Sequence, residues 1–364
     1  MKPSWQVLSA LPRWTLAAPA LSWLVLAGAQ ADLGRPYSIV LGAGLIGSVL
    51  AAVHHSEVVA HRVGEPFGTL VLAIAVTVIE TALVVSLMLA GGPGAGVLAR
   101  DTVFAAVMII LNGMVGLCLL LGGSRFREQG FVLHGVSAAL ATLAAIVVLT
   151  LVLPNYTVSD PRPVYVTSQL VFVSIVSLIL YGTFVFVQTI RHRDYFLPVD
   201  ASGNEDVHAA PPETITAIVS SVFLLICLVA VVLLAKALAP ELEAGVEALG
   251  APNALVGIII AAIVLLPESL AAARAARANR LQTSLNLALG SALASIGLTI
   301  PAVALTSLIL GLTLTLGVDS KSTVLLLLSF FVSALSLSTG RTTVLQGTVL
   351  LVLFAVYLFI TIVP

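Results

Sequence analysis

The sequence predicts an all-α membrane protein of eleven transmembrane helices, one N-terminal helix followed by two inverted five-helix repeats. Three observations carry the prediction. Of 364 residues, 59% are hydrophobic and only 9% charged, with a mean hydropathy of +1.14. Soluble domains are about 45–50% apolar and about 25% charged, so the surplus apolar surface needs lipid as its solvent. Apolar runs of spanning length, about 20 residues, recur along the whole chain. None alternates apolar and polar residues as the strands of a membrane barrel do. Two glutamates also sit inside such runs in similar surroundings: Glu80 in AIAVTVIETALVV and Glu268 in AAIVLLPESLAAA.

The first run, 14–31, follows Lys2 and Arg13 and has the outline of a secretion signal. No cleavage-like site leads into a soluble region, and apolar runs continue to the last residue, so it reads as a retained helix. Five more helices are predicted at 36–58, 65–91, 99–122, 131–153 and 165–191. Residues 192–213, HRDYFLPVDASGNEDVHAAPPE, break the pattern. They are polar, contain three prolines and carry Asp194, Asp200, Glu205, Asp206 and Glu213. This segment reads as a solvated linker, with a cation-sensing acidic segment as the sharper alternative. The last five helices are predicted at 213–238, 251–277, 281–312, 320–338 and 342–363. The expected organisation is therefore an N-terminal helix in 1–35, a first repeat in 36–191, the linker in 192–213 and a second repeat in 214–364.

Lys and Arg accumulate on the cytoplasmic side of membrane proteins. With the N-terminus inside, the inner loops hold Lys2, Arg13, Arg62, Arg125, Arg127, Arg191, Arg193, Arg274, Arg277, Arg280 and Arg341. The outer side holds Arg35, Arg100, Arg162, Lys236 and Lys321. The bias predicts a cytoplasmic N-terminus and linker, and an outside C-terminus. A net charge of −1 gives no field to attract nucleic acid. Cys118 and Cys227 lie in apolar runs and read as small buried hydrophobes.

Aligning Glu80 with Glu268 sets Ala73 against Ala261, Val76 against Val264 and Thr81 against Ser269. The two glutamate helices are the third and the eighth. Five positions apart, they enter the membrane from opposite sides. That is the inverted-repeat logic of secondary transporters, whose sites lie near the bilayer midplane. Polar residues gather in the same helices. Thr77 lies one turn before Glu80, and Asn112 sits in VMIILNGMVG. Ser284, Ser291, Ser295 and Thr299 recur at helical period. Pro267 has no N–H for the carbonyl of Ile263, which becomes free to face an ion. Carboxylate, amide and hydroxyl oxygens suit Ca²⁺, Na⁺ or K⁺. Cations and protons would compete for the same carboxylates, which is the physical basis of an antiporter.

Long stretches resemble a known family: HRVGEPFGTLVLAIAVTVIETALVVSLML at 61–89, RDTVFAAVMIILNGMVGLCLLLGG at 100–123, and NALVGIIIAAIVLLPESLAAARAA with NLALGSALASIGLTIPA at 253–276 and 286–302. The chain resembles the bacterial calcium/proton antiporters, in the cation/proton exchanger branch of the cation/Ca²⁺ exchanger superfamily. The resemblance implies exchange of Ca²⁺, Na⁺ and K⁺ for H⁺ across the bacterial inner membrane, with no cofactor and with inorganic cations, protons and the lipid bilayer as partners. It makes Glu80 and Glu268 the ion-binding and proton-exchanging carboxylates, and assigns supporting roles to Asn112 and Ser291; Thr77 and Ser295 join them from the residue pattern. Many exchangers carry Gly-Asn ahead of each glutamate, where this chain has Val76, Thr77, Val264 and Leu265. A Gln often follows the Gly-Ser pair, where this chain has Leu293, Ala294 and Ser295. Fewer oxygen ligands weigh against strict Ca²⁺ selectivity, and the subfamily it most resembles also exchanges Na⁺ and K⁺.

A monovalent cation/proton antiporter with little Ca²⁺ transport and a cation channel are the alternative readings. A channel needs a continuous pore, often ringed by several subunits, and a single inverted pair fits alternating access better. An intramembrane metalloprotease would carry His-Glu-x-x-His on one helix. Here His54, His55 and His61, near Glu57 and Glu65, read instead as an interfacial helix end and loop.

Overall fold

The computed structural model describes residues 11–29, 36–64, 67–90, 95–197, 212–252 and 254–363. These residues are predominantly helical because their apolar runs leave the backbone no polar partner except itself. Seven helices are long and apolar enough to cross a membrane, or eight if one bent pair counts as a single span. Large apolar side chains stand exposed on their outer faces, among them Leu24, Ile39, Phe172, Ile309 and Leu345. An aqueous surface would not carry so many, so these faces are built for lipid.

The chain forms two compact units, and each takes segments from both sides of the 192–213 region. The first contains α1 (Arg13–Gly28), α2 (Tyr37–Val63), α3 (Phe67–Ala90) and α8 (Thr214–Ala248). α2 packs along α8, and both touch α1 and α3. Two side-chain bonds tie α1 to α2: Ser22 Oγ donates to the Gly44 carbonyl at 2.9 Å, and Tyr37 Oη to the Val25 carbonyl at 2.6 Å. Arg62 donates to Thr214 Oγ1 at 2.7 Å, bringing the end of α2 to the start of α8.

His55 of α2 departs from the interfacial helix end and loop expected for the histidines, while His61 is exposed in the last turn. The helix continues to Val63, and His55 is fully buried inside it. His55 stacks on Phe223, and its Nε2 lies 3.1 Å from the Thr15 carbonyl. The helix α8 also runs ten residues past its predicted end. Pro240 and three glutamates, Glu241, Glu243 and Glu247, end the apolar pattern, but the helix continues through them.

The second unit begins with α4 (Ala95–Met108), a π-helical turn (Ile109–Met114) and α5 (Val115–Phe126). Next come α6 (Leu133–Val147), extended to Tyr156 by π and 3₁₀ turns, and α7 (Thr167–Phe186), extended to Arg191 by a π turn. It resumes with α9 (Ala254–Val264), α10 (Leu266–Arg277), α11 (Leu281–Leu310), α12 (Ser320–Ser336) and α13 (Val344–Ile362). Capping is local where the sequence allows it. Asp319 accepts the Ser322 N–H at 3.0 Å, Gln346 accepts the Thr343 N–H at 2.9 Å, and Gly311 closes α11 at φ 66°. Asp200, Glu205 and Asp206 of the acidic segment lie outside the described residues.

Turns of the second unit collect at two ends. At one, β1 (Gln129–Gly130) pairs antiparallel with β2 (Arg341–Thr342). This ladder was missed because two residues are too few to show a period in a sequence. Gln129 Nε2 donates to the Ala276 carbonyl and to Asn279 Oδ1, both at 3.0 Å, and Asn286 Nδ2 to the Phe196 carbonyl at 2.6 Å. At the other end Val164 bridges Thr315, Asn155 Nδ2 donates to the Val318 carbonyl at 2.6 Å, and Arg100 to the Gly317 carbonyl at 3.0 Å.

Glycines set the closest helix approach. A Cβ on Gly347 of α13 would meet the backbone nitrogen of Leu120 and lie 2.8 Å from the Gly116 carbonyl oxygen, both in α5. Small residues serve this role where helices must touch without water to drive them together. Gly347→Ala is therefore expected to destabilise by about 1–3 kcal/mol, lowering the thermal midpoint of the detergent-purified protein. Gly182→Ala, with nothing within 4 Å of the new methyl, should leave it unchanged.

Candidate functional site

Glu80 and Thr77 belong to the first unit. Glu80 is 4% exposed and Thr77 5%, inside α3, with Ile79, Leu83 and Val84 buried beside them. Residues three apart share a helix face, so hydroxyl and carboxylate point the same way. An ionised carboxylate at membrane depth costs at least about 2.5 kcal/mol, so its placement here needs a return.

Glu268, Asn112, Ser291 and Ser295 belong to the second unit. The predicted helix over 251–277 is two helices, α9 and α10, bent by 56° at Leu265. Pro267 explains the break: it has no N–H for the Ile263 carbonyl, and its ring clashes there. Glu268 follows directly, in the first turn of α10, its two carboxylate oxygens buried although the residue as a whole is half-buried. N–H groups of a first helical turn carry partial positive charge and complement a carboxylate. Ser269 turns its hydroxyl back to the Leu265 carbonyl at 2.7 Å, the usual fate of a serine in a membrane helix.

Asn112 is fully buried in the π turn, where Val115 N–H reaches back to the Ile110 carbonyl. The extra residue of a π turn swings side chains off the regular helical face, and such turns recur at functional sites. This turn packs against α10, α11, α12 and α13. Asn112 is thus brought next to the helix carrying Glu268 and the helix carrying the serine stripe. In α11, Ser284, Ser295 and Thr299 are buried, while Ser291 is half-buried with its Oγ enclosed. Gly297 lets α11 come against Tyr181 of α7, 2.8 Å from where its Cβ would stand.

Two residues were missed by the sequence reading. Ser329 Oγ accepts from Asn112 Nδ2 at 2.8 Å, and Ser333 lies one turn on, 1% exposed. The signal was present: in LLLLSFFVSALS two serines stand four apart in an apolar run, as in α11. Among the described residues no group of three His, Cys, Asp or Glu could hold a resident metal. Cys118 and Cys227 are buried thiols.

Helices of spanning length with carboxylate, amide and hydroxyl groups buried in their interiors define a multi-pass membrane ion transporter. The chain belongs to the sodium/calcium exchanger protein family, whose sequence model matches residues 36–190 and again 219–363. It is 49% identical over 370 residues to y4hA of Sinorhizobium fredii (strain NBRC 101917 / NGR234), spanning all of both chains. It is 36% identical over 317 residues to the sodium-potassium/proton antiporter ChaA of Escherichia coli K12, covering 86% of each chain. Among solved structures, native YfkE superposes with a TM-score of 0.74 at 17% identity over 96% of this chain and 100% of that one. The H⁺/Ca²⁺ exchanger CAX gives 0.71 at 15% identity, over 95% and 87%. At these identities the structures speak for the fold.

The break before Glu268 generates a prediction. Pro267→Ala restores an N–H that can bond the Ile263 carbonyl and continue α9 into α10. We expect a folded protein by size-exclusion chromatography whose half-saturating cation concentration rises at least about tenfold, equivalent to about 1.4 kcal/mol. An unchanged value would separate the break from ion binding.

Proposed function

We propose that the protein is a secondary active antiporter that exchanges Ca²⁺, Na⁺ and K⁺ for H⁺ by alternating access. Glu80 and Glu268 are its cation-binding and proton-exchanging carboxylates, supported by Thr77, Asn112, Ser291 and Ser295. The observation that carries this reading is the burial of each glutamate's carboxylate inside an apolar helical region. Each lies within one of the two stretches matched by the same family model. That double match supports two repeats, and with α1 they make the eleven-helix arrangement. A carboxylate at such depth is costly as a bare anion and tolerable when it holds either a cation or a proton. Binding one ligand therefore displaces the other, and a site open to one side at a time couples their flows.

The monovalent reading has its own support. ChaA, at 36% identity, is named for sodium and potassium exchange. Thr77 and Leu265 replace amides that would add oxygens around a divalent ion. We place the chain in the bacterial inner membrane, with the N-terminus and residues 192–213 cytoplasmic and Pro364 outside, from the distribution of Lys and Arg.

Glu80→Gln and Glu268→Gln keep shape but remove charge and titration. Each should abolish Na⁺-, K⁺- and Ca²⁺-dependent proton release from everted vesicles while membrane protein levels stay near normal. A Gln variant that still moves protons with any of these cations would sink the mechanism. In the wild type, cation loaded from the cytoplasmic side should drive exchange better at alkaline pH, because fewer protons then compete for the carboxylates. Cysteines placed at 203 and after 364 should label from opposite faces of the membrane, and labelling of both from one face would reject the topology.

A further inference from the structure

We infer that Ser329 is a positioning residue that fixes which end of the Asn112 amide is offered to the transported cation. The inference rests on the antiport reading for the cation itself, and on local geometry for the rest. An asparagine amide has a donating and an accepting end that a half-turn exchanges, and the surroundings decide which faces which way. Here they decide clearly. The single hydroxyl proton of Ser329 has the Leu325 carbonyl 2.7 Å away, with the Met108 sulfur a distant second at 3.8 Å. With its proton turned to that carbonyl, Ser329 Oγ accepts from Asn112 Nδ2 at 2.8 Å. Met108 Sδ, 3.8 Å from the same nitrogen, is again an acceptor and agrees. A flipped amide would set its oxygen against the Met108 sulfur and would have to draw the Ser329 proton off the Leu325 carbonyl.

The consequence falls on the other end. Asn112 is fully buried, and among the described residues its Oδ1 has no hydrogen-bond partner. A buried carbonyl oxygen left so is unfavourable unless a positive group uses it. A hard cation is such a group: amide oxygens are ordinary ligands for Ca²⁺ and Na⁺. The π turn carrying Asn112 packs on α10 and α11, which bear Glu268 and the serine stripe, so the turn and the other candidate ligands of this unit lie on neighbouring elements. Ser329 touches no ion in this account. It acts through Asn112, by keeping the N–H₂ end away from the cation.

The test compares Ser329→Ala, Ser329→Thr, Asn112→Ala and the double variant. Two readouts are used: cation-dependent proton release by vesicles, and thermal stabilisation of purified protein by Na⁺ and by Ca²⁺. Ser329→Ala should raise the half-saturating concentration of the bound cation roughly five- to tenfold, the size of one lost hydrogen bond. The maximal rate should stay within about twofold, since the carboxylates that exchange protons are untouched. Ser329→Thr keeps the hydroxyl and should restore affinity. The double variant should match Asn112→Ala, because a residue acting only through Asn112 has nothing left to position. Should Ser329→Ala fail to fold, Ser329→Cys, of similar size with a weak acceptor, should show the same loss of affinity. Unchanged affinity in Ser329→Ala, or a double variant weaker than Asn112→Ala by the single-variant factor, overturns the inference while leaving antiport standing. Proton release absent from wild type, with cation stabilisation present and lost in Ser329→Ala, overturns antiport and keeps the positioning role. A wild type that neither binds nor transports cations overturns both.

Discussion

The cost of charge in hydrocarbon organises this molecule. A carboxylate at membrane depth needs compensation from within the protein, and each of the two glutamates has a hydroxyl or a helix start within one turn of it. Glu80 is placed in the enclosed face of α3, beside Thr77. Glu268 is placed in the first turn of a helix, the end that carries partial positive charge. The rest of each unit is apolar packing that holds these positions. Where helices must come close, as at Gly116, Gly347 and Gly297, glycine supplies the room.

Much of the fold was legible because lipid imposes a simple rule: a spanning helix must be apolar over its length. The two glutamates were legible for the same reason, as exceptions to it. The missed features lie where the rule is silent. Nothing in IILNGM signals a π turn, because the extra residue changes backbone bonding and leaves composition alone. The extension of α8 through Pro240 was hidden because charge reads as solvent exposure, and a helix may leave the bilayer without ending. His55 was misplaced by its neighbours: a cluster of histidines and Glu57 looks interfacial, yet the imidazole stacks on Phe223 from a distant helix and meets His54 edge-on.

Candidate ligands were legible one helix at a time, and their relations were not. Asn112 and Ser329 are 217 residues apart, and no local period connects them. The orientation of the amide depends on a third group, the Leu325 carbonyl, which claims the serine's only proton. Such relations come from packing, so a sequence can name the participants without their roles.

The tie between Gln129 and the end of α10 makes that helix a lever with a fixed heel. Gln129 grips the Ala276 carbonyl and Asn279 Oδ1, while the toe, freed by the break at Leu265, carries Glu268. Eight residues of helix between Glu268 and Ala276 span about 12 Å. A swing of about 10° about the heel then carries the carboxylate about 2 Å, close to a whole cation–oxygen bond. With its far end gripped by one glutamine, the helix would turn a tilt into displacement of its carboxylate end and not into a slide along its axis.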